Sequence, residues 1–191
     1  MISPFLKVGR GSVPEGIETL CFSSIEDVRV PAVGTHQLRV HSDGVPFEFL
    51  LCAREAAQYL LVFGQSALSN RSAVPLPAYH RWTWFDDFPE ASCLALNDPT
   101  LYNHETMLGG WFQGTQSRFY MDDGVSLVRK IAEQLGIPAS RIFFYGSSAG
   151  GFSSLMMAGL LEGATAIAEI PQTDMRKYHV KSALQALLTH C

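Results

Sequence analysis

The sequence lacks several features that would point to a particular partner or compartment. Its 14 Lys and Arg residues form no cluster and the net charge is −4, so nothing marks a nucleic-acid surface. No stretch of about 18 apolar residues runs unbroken, and we predict no membrane span. Residues 1–10 lack the charged segment and apolar run of an ordinary signal peptide.

Cysteine is also scarce. The four cysteines are scattered and form no Cys-x-x-Cys pair: Cys21, Cys52, Cys93 and Cys191. This spacing argues against a structural zinc site and against a dense disulfide framework. Free thiols are typical of a reducing cytosol, so we expect a cytoplasmic protein. The sequence calls for neither a metal nor an organic cofactor.

What is present is the composition of a folded chain. Apolar residues make up 47% of the sequence and charged residues 17%, which argues against disorder. At 191 residues we expect one domain, 1–191. Its N-terminal part predicts antiparallel strands, because residues 37–42 and 45–52 flank Asp43 and Gly44, a hairpin pair. Pro46 cannot donate to a ladder, so its strand should lie at an edge or begin just after it.

From residue 59 the pattern changes. Four continuous apolar runs predict strands buried on both faces of a mostly parallel sheet: 59–63, 92–96, 141–145 and 164–170. Intervening segments predict helices: 124–135, 152–161 and 175–189. Alternating strands and helices indicate an α/β fold with helices on both faces of the sheet. The chemistry of such sheets lies at the carboxyl ends of their strands.

One strand end carries a catalytic pattern. Residues 146–150, Gly-Ser-Ser-Ala-Gly, match Gly-x-Ser-x-Gly between a predicted strand and a predicted helix. A nucleophile elbow requires this context, because the serine sits on a strained turn that lifts its hydroxyl out of the sheet. The alternative is a glycine-rich turn without catalysis, or one that binds phosphate. Neither a dinucleotide fingerprint nor a P-loop is present, so we predict Ser148 as the nucleophile.

The remaining machinery is assigned by position along the rim. The backbone N–H of Ala149 should be one oxyanion donor, and the loop at Gly64 and Gln65 should supply the second. The alternative for that loop is a tight exit turn from a strand. Asp174 follows the next strand and is the candidate acid. The alternative for Asp174 is a helix N-cap.

The histidine base is the hardest residue to assign. In elbow-type serine sites the order along the chain is Ser, acid, His, and only His179 and His190 follow Asp174. His179, which should lie early in the last helix, is our candidate. His80 and His104 lie in long aromatic connections that could fold over the site. Each histidine also has the alternative role of a surface or packing residue.

The elbow and the strand–helix order resemble the α/β-hydrolase superfamily. Five segments together are similar to α/β-hydrolase-like proteins of bacterial surface-polysaccharide biosynthesis and accessory secretion loci: 81–84 (Arg-Trp-Thr-Trp), 97–102 (Asn-Asp-Pro-Thr-Leu-Tyr), 108–111 (Leu-Gly-Gly-Trp), 144–152 and 171–174 (Pro-Gln-Thr-Asp). The resemblance covers about residues 60–180 and implies two further strands, with the histidine after the last. We therefore expect the C-terminal strands to be missing. Either the chain is a truncated product, or its open edge pairs with a second copy or a protein partner.

Two functions follow from these expectations. The first is a serine hydrolase, an esterase or deacetylase acting on a small-molecule or carbohydrate ester, with Ser148, Asp174 and a histidine as its catalytic residues. The second is a catalytically inactive α/β-hydrolase-like component of polysaccharide biosynthesis or glycoprotein export. The absent histidine-bearing segment motivates the second.

Overall fold

The computed structural model describes residues 16–191, so the N-terminal segment used above to argue against a signal peptide lies outside it. The described strands are β1 (Thr19–Phe22), β2 (Gly34–Ser42), β3 (Val45–Ala53), β4 (Tyr59–Phe63), β5 (Ala91–Leu96), β6 (Ile142–Ser147) and β7 (Thr165–Glu169). The α-helices are α1 (Tyr120–Gln134), α2 (Ala149–Leu160) and α3 (Lys181–His190). The seven described strands form one sheet in the order β1-β2-β3-β5-β4-β6-β7.

The sheet is mostly parallel, as predicted. Strands β4, β5, β6 and β7 all run in one direction, and β1 is parallel to β2. Among the seven described strands, antiparallel pairing is confined to β2 with β3 and β3 with β5. The carboxyl ends of β4 to β7 therefore lie along one rim, which confirms the α/β fold class and places the segments after these strands side by side.

The predicted hairpin is present, with one correction. Asp43 and Gly44 have φ values of 46° and 80°, as a two-residue turn between twisted strands requires. Both alternatives expected for Pro46 are wrong, since β3 begins at Val45 and lies between β2 and β5. Pro46 is tolerated because β5 pairs only with residues 49–52 of β3. The expected antiparallel N-terminal strands are β2 and β3, while β1 is parallel to its neighbour.

Two layers cover the sheet. On one face the helices α1 and α2 pack against the strands in the main core. This core includes Leu60, Val62 and Phe144 from the strands and Val125, Val128 and Met157 from the helices. Burying each such side chain contributes about 1.5–3 kcal/mol. On the other face a 3-10 helix, Trp82–Asp87, packs Phe85 near Phe63. Among the described residues this second layer is a 3-10 helix and loops where we had expected α-helices.

The C-terminal end departs most from expectation. The helix predicted over 175–189 is split into a 3-10 turn, Met175–Lys177, and α3 from Lys181. Tyr178 interrupts it because its backbone is extended, with ψ 127°. His179 therefore lies on a connection and not on a helix. Among residues 16–191, β7 has β6 as its only neighbour, and no helix in that range could cross a membrane.

Candidate active site

Ser148 occupies a sharp bend between β6 and α2. Its φ is 55° and its ψ is −120°, a conformation that costs a residue with a side chain about 1–3 kcal/mol. Two backbone hydrogen bonds hold it there. Ser148 N–H donates to the Glu169 carbonyl at 3.1 Å, and the Ser148 carbonyl accepts from Phe152 N–H at 3.1 Å. The bend is the strand–turn–helix arrangement that the sequence predicts at 146–150.

The flanking glycines are required by close backbone contacts. A Cβ on Gly146 would lie 2.2 Å from the Gly150 carbonyl oxygen. A Cβ on Gly150 would lie 2.6 Å from the Gly64 carbonyl oxygen. Both distances are far below contact distance, so no other residue fits without moving β4, β6 or α2. This packing brings the loop after β4 directly against the start of α2.

The Ser148 side chain contacts an amide. Gln172 Nε2 donates to Ser148 Oγ at 2.8 Å, and Trp111 Nε1 donates to Gln172 Oε1 at 2.5 Å. An indole nitrogen can only donate, so the amide oxygen must face Trp111 and the amide N–H must face Ser148. Ser148 Oγ is thus an acceptor in this contact, and its own proton is free for another acceptor.

A cavity of about 460 Å³ opens in front of Ser148. Its lining combines charged, aromatic and apolar side chains from the segment after β7: Ile170, Pro171, Gln172, Thr173, Asp174, Lys177, Tyr178 and His179. Three candidate catalytic residues, Ser148, Asp174 and His179, therefore border one space. No hydrogen bond joins any two of these three within residues 16–191.

The candidate oxyanion donors differ in their present partners. Ala149 is the first residue of α2, where backbone N–H groups have no partner within the helix. Gly64 N–H donates to the Tyr145 carbonyl at 2.8 Å, and Ser66 N–H donates to His80 Nδ1 at 2.9 Å. Gln65 is therefore the member of this loop left to supply a second donor.

Asp174 faces cations and not a histidine. Its carboxylate accepts from Arg176 N–H at 3.1 Å and from Arg176 Nε at 2.9 Å, and Lys177 Nζ lies 3.8 Å away. The Arg176 side chain holds the pKa of Asp174 below its usual value. These contacts match the capping alternative considered for Asp174.

The other histidines have contacts of their own. His80 Nδ1 accepts from Ser66 N–H, and burial, with a smaller effect from Arg81, lowers the pKa of His80 to about 4. The rings of His104 and His190 stack at 3.7 Å. His179, which is exposed, packs its ring edge-on against Tyr178 at 5.0 Å. Of the four histidines considered for the base, His179 is the one on the cavity wall.

Ser147, the competing serine of the motif, has hydrogen-bond partners different from those of Ser148. Its Oγ accepts from Arg81 at 2.8 Å, and its carbonyl accepts from Ser66 Oγ at 2.9 Å. Arg81 also lies over the rings of Trp84 and Tyr145, at 5.3 and 4.9 Å. Arg81 and Trp84 therefore join the segment 81–84 to the end of β6.

Asp98 has a part in the site that no sequence pattern indicated. This buried carboxylate accepts from the N–H groups of Thr100 at 3.0 Å, and of Gly110 and Phe112 at 3.1 Å each. Burial raises the pKa of Asp98, against the opposing effect of these donors. Asp98 N–H also donates to Gln65 Oε1. Segments 97–102 and 108–111 stood out in the sequence, but nothing there indicated that they join each other.

No metal centre is formed in the described part of the chain. Across residues 16–191 there is no group of three or more His, Cys, Asp or Glu side chains that could hold a metal ion. All four cysteines are free thiols, and Cys52 and Cys93 are buried.

Solved structures share this architecture at low sequence identity. A capsule O-acetyltransferase of Neisseria meningitidis serogroup A aligns with a TM-score of 0.54 at 16% identity, over 78% of this chain and 59% of that one. The Glycosylation Associate Protein (Gap123) complex from Streptococcus agalactiae gives 0.51 at 18% identity, over 70% of this chain and 23% of that one. A lipase/esterase from Lactobacillus plantarum gives 0.50 at 13% identity, over 82% and 68%.

This chain thus spans about three fifths of the acetyltransferase and a quarter of the Gap123 chain. No protein-family model matches it, and no curated protein sequence is significantly similar. At these identities the likeness concerns the fold alone, and it confirms the α/β-hydrolase-like fold expected from the sequence. The chain has the α/β-hydrolase fold, in common with esterases and with proteins named for capsule acetylation and glycosylation.

Proposed function

We propose that this protein performs serine-dependent acyl chemistry, as an esterase or deacetylase of small-molecule or carbohydrate esters, with Ser148 as the nucleophile. The observation that carries the proposal is the strained backbone of Ser148, φ 55° and ψ −120°, between glycines that admit no side chain. Such strain persists where the surrounding structure imposes it, and it clusters at functional sites.

The first step is acylation. Ser148 Oγ attacks the ester carbonyl carbon, and its proton passes to a base on the cavity wall, for which His179 is the candidate. The carbonyl oxygen becomes an oxyanion, held by Ala149 N–H and by the Gln65 backbone N–H. When the intermediate collapses, the bond to the leaving alcohol breaks and that alcohol takes the proton from the base.

The second step releases the acyl group. Water, or the hydroxyl of an acceptor, attacks the acyl-enzyme carbonyl while the base removes its proton, and Ser148 Oγ leaves with that proton. His179 lies on an exposed connection between a 3-10 turn and α3, so it can approach Ser148 without unfolding a helix.

Labelling with a fluorophosphonate probe tests the role of Ser148. We expect the wild type and Ser147→Ala to be labelled and Ser148→Ala to be unlabelled, with p-nitrophenyl acetate hydrolysis following the same pattern. Ser147→Ala is the matched control because it removes the adjacent serine hydroxyl, which binds Arg81. Labelling that survives Ser148→Ala would refute this role for Ser148.

A second candidate function is a non-catalytic component of a glycan or glycoprotein assembly. The observation that favours it is the Ser148 hydrogen bond to an amide in place of a base, together with the likeness to the Gap123 complex. The second edge of β7, which pairs with no strand among residues 16–191, also favours it. A folded wild type that neither reacts with fluorophosphonate nor hydrolyses p-nitrophenyl acetate would favour this candidate. Ser148-dependent turnover eliminates it.

A further inference from the structure

Three side chains form a chain of hydrogen bonds that ends at Ser148. Trp111 Nε1 donates to Gln172 Oε1 at 2.5 Å, and Gln172 Nε2 donates to Ser148 Oγ at 2.8 Å. The three come from different parts of the sequence, since Trp111 precedes α1, Ser148 precedes α2 and Gln172 follows β7. None of the catalytic assignments above includes Trp111 or Gln172.

The direction of this chain decides where the Ser148 proton goes. An amide has a donor end and an acceptor end, and only the donor end leaves Ser148 Oγ as an acceptor. If Gln172 turned over, its oxygen would accept the Ser148 proton and hold it away from a base in the cavity. The Trp111 N–H prevents this, because a nitrogen donor facing another N–H would leave both unpaired.

Trp111 is itself held in an unusual conformation. Trp111 and Phe112 have φ values of 53° and 55°, where bulky residues are genuine outliers. Asp98 imposes this turn by accepting from the N–H groups on either side of Trp111, at Gly110 and Phe112. The Trp111 ring is 1% exposed and meets the Tyr178 ring edge-on at 5.6 Å. The indole is therefore aimed at Gln172 by a loop with little freedom.

A second tryptophan shows that the fold does not require every buried indole N–H to donate a hydrogen bond. Trp82 Nε1 is buried and has no hydrogen-bond partner within residues 16–191. The protein tolerates an unpaired indole at Trp82, whereas the indole of Trp111, on a strained backbone, is paired. The hydrogen bond from Trp111 to Gln172 is therefore specific to this site.

We propose that Trp111 is a positioning residue for Ser148: it fixes the Gln172 amide so that Ser148 Oγ accepts a hydrogen bond and its proton points into the cavity. The kinetic consequence rests on the proposed function. The hydrogen-bond chain itself does not, and it can be measured in a protein with no activity.

The first experiment observes the amide directly by NMR in the full chain. Trp111→Phe removes the N–H and keeps an aromatic ring, and Trp82→Phe is the matched control because its indole N–H is unpaired. We expect the Gln172 side-chain resonances to shift in Trp111→Phe and in Ser148→Ala and to stay in place in Trp82→Phe. Gln172 resonances that stay in place in Trp111→Phe would overturn the proposal, whatever the activity.

The second experiment measures fluorophosphonate labelling rates. We expect Trp111→Phe to label about tenfold more slowly, as the loss of one oriented hydrogen bond implies, and Trp82→Phe to stay within about twofold. In a Gln172→Leu background Trp111→Phe should have no further effect, because Trp111 acts through Gln172. Full additivity of the two changes would contradict the proposal.

The third experiment uses the pH dependence of Gln172→Glu. In this variant a deprotonated carboxylate has no proton to donate to Ser148, whereas the protonated carboxyl group donates as glutamine does. The ratio of variant to wild-type labelling should therefore rise toward one as pH falls through the pKa of the introduced carboxyl group. Asp174, Lys177 and His179 line the same cavity and are present in both proteins, so the ratio removes the part of their effect that the two proteins share.

Gln185→Glu, an exposed change on α3, controls for the added charge. A Gln172→Glu ratio that does not change with pH would overturn the proposal. If the wild type does not label at all, the proposed function fails while the NMR result still decides whether Trp111 orients Gln172. The two failures are therefore distinguishable.

Discussion

The rim of the sheet has two sides that are built differently. After β4 and β5, buried polar groups are joined by hydrogen bonds: Gln65 to Asp98, Asp98 to the loop at 110–112, and Asn97 Oδ1 to Ala78 N–H at 2.9 Å. After β7 the chain is more exposed to solvent. Ile170 is 84% exposed, and Asp174 pairs with Arg176, whose side chain is 90% exposed.

Because of this difference, we expect the rim after β4 and β5 to be rigid and the rim after β7 to be adaptable. Leaving a buried donor or acceptor unpaired costs about 1–3 kcal/mol, so the side after β4 and β5 has few alternative arrangements. Ion pairs in solvent contribute little and exchange readily. The nucleophile and its oxyanion loop are thus attached to the rigid side, and the candidate acid and base lie on the adaptable one.

The largest effect should follow from disturbing the elbow on the rigid side. Gly146→Ala places a Cβ 2.2 Å from the Gly150 carbonyl oxygen, and we expect it to lower the free energy of unfolding by at least about 3 kcal/mol. Gly159→Ala on α2 meets nothing within 4 Å and should raise it by about 0.5–1 kcal/mol. Urea denaturation of both variants measures the contrast. Equal free energies of unfolding for the two variants would show that a Cβ fits at residue 146, contrary to the structure.

The two aspartates test the comparison next. Asp98→Asn replaces an acceptor by an N–H group that faces backbone donors, so it should cost about 2–3 kcal/mol. Asp174→Asn, in an exposed ion pair, should change the free energy of unfolding little. Chemical denaturation at neutral pH checks both. A larger loss at Asp174 than at Asp98 would reverse the assignment of the rigid side.

Acid should loosen the rigid side through His80. Burial lowers the pKa of His80 to about 4, below the ordinary value of about 6.5, so the unfolded chain binds the proton more readily. The contribution of His80 is therefore complete above pH 6.5 and is lost as pH falls toward 4, by on the order of 2 kcal/mol. His80→Gln should be less stable at pH 7 but should lack this part of the pH dependence. Denaturation midpoints of the two proteins from pH 7 to pH 4 test it, and parallel curves would contradict it.

The sequence predicts these two sides unequally, for a physical reason. Apolar runs determined β4 to β7 to within a few residues, and the elbow could be located because its glycines and its strand–helix context are local. The Asp98 network joins segments far apart in sequence, and no periodicity encodes which N–H groups a carboxylate will find. The split of the last helix at Tyr178, which moved His179 onto a connection, also escaped the pattern. Helical spacing continues through 175–189 although the backbone does not.

The smallest effect isolates the strain at Ser148. At φ 55° and ψ −120° a Cβ is disfavoured and glycine is not, so Ser148→Gly should be more stable than Ser148→Ala by about 1 kcal/mol. Relief of strain contributes about 1–3 kcal/mol, and the greater entropy of glycine in the unfolded chain offsets about 0.4–1 kcal/mol of it. Urea denaturation of the two variants measures the difference, and both lack the hydroxyl, so activity does not enter. A less stable Ser148→Gly would mean that the bend is unstrained. If glycine is favoured, the strain at this position serves no purpose in stability, and the serine is there for the oxygen that the bend exposes.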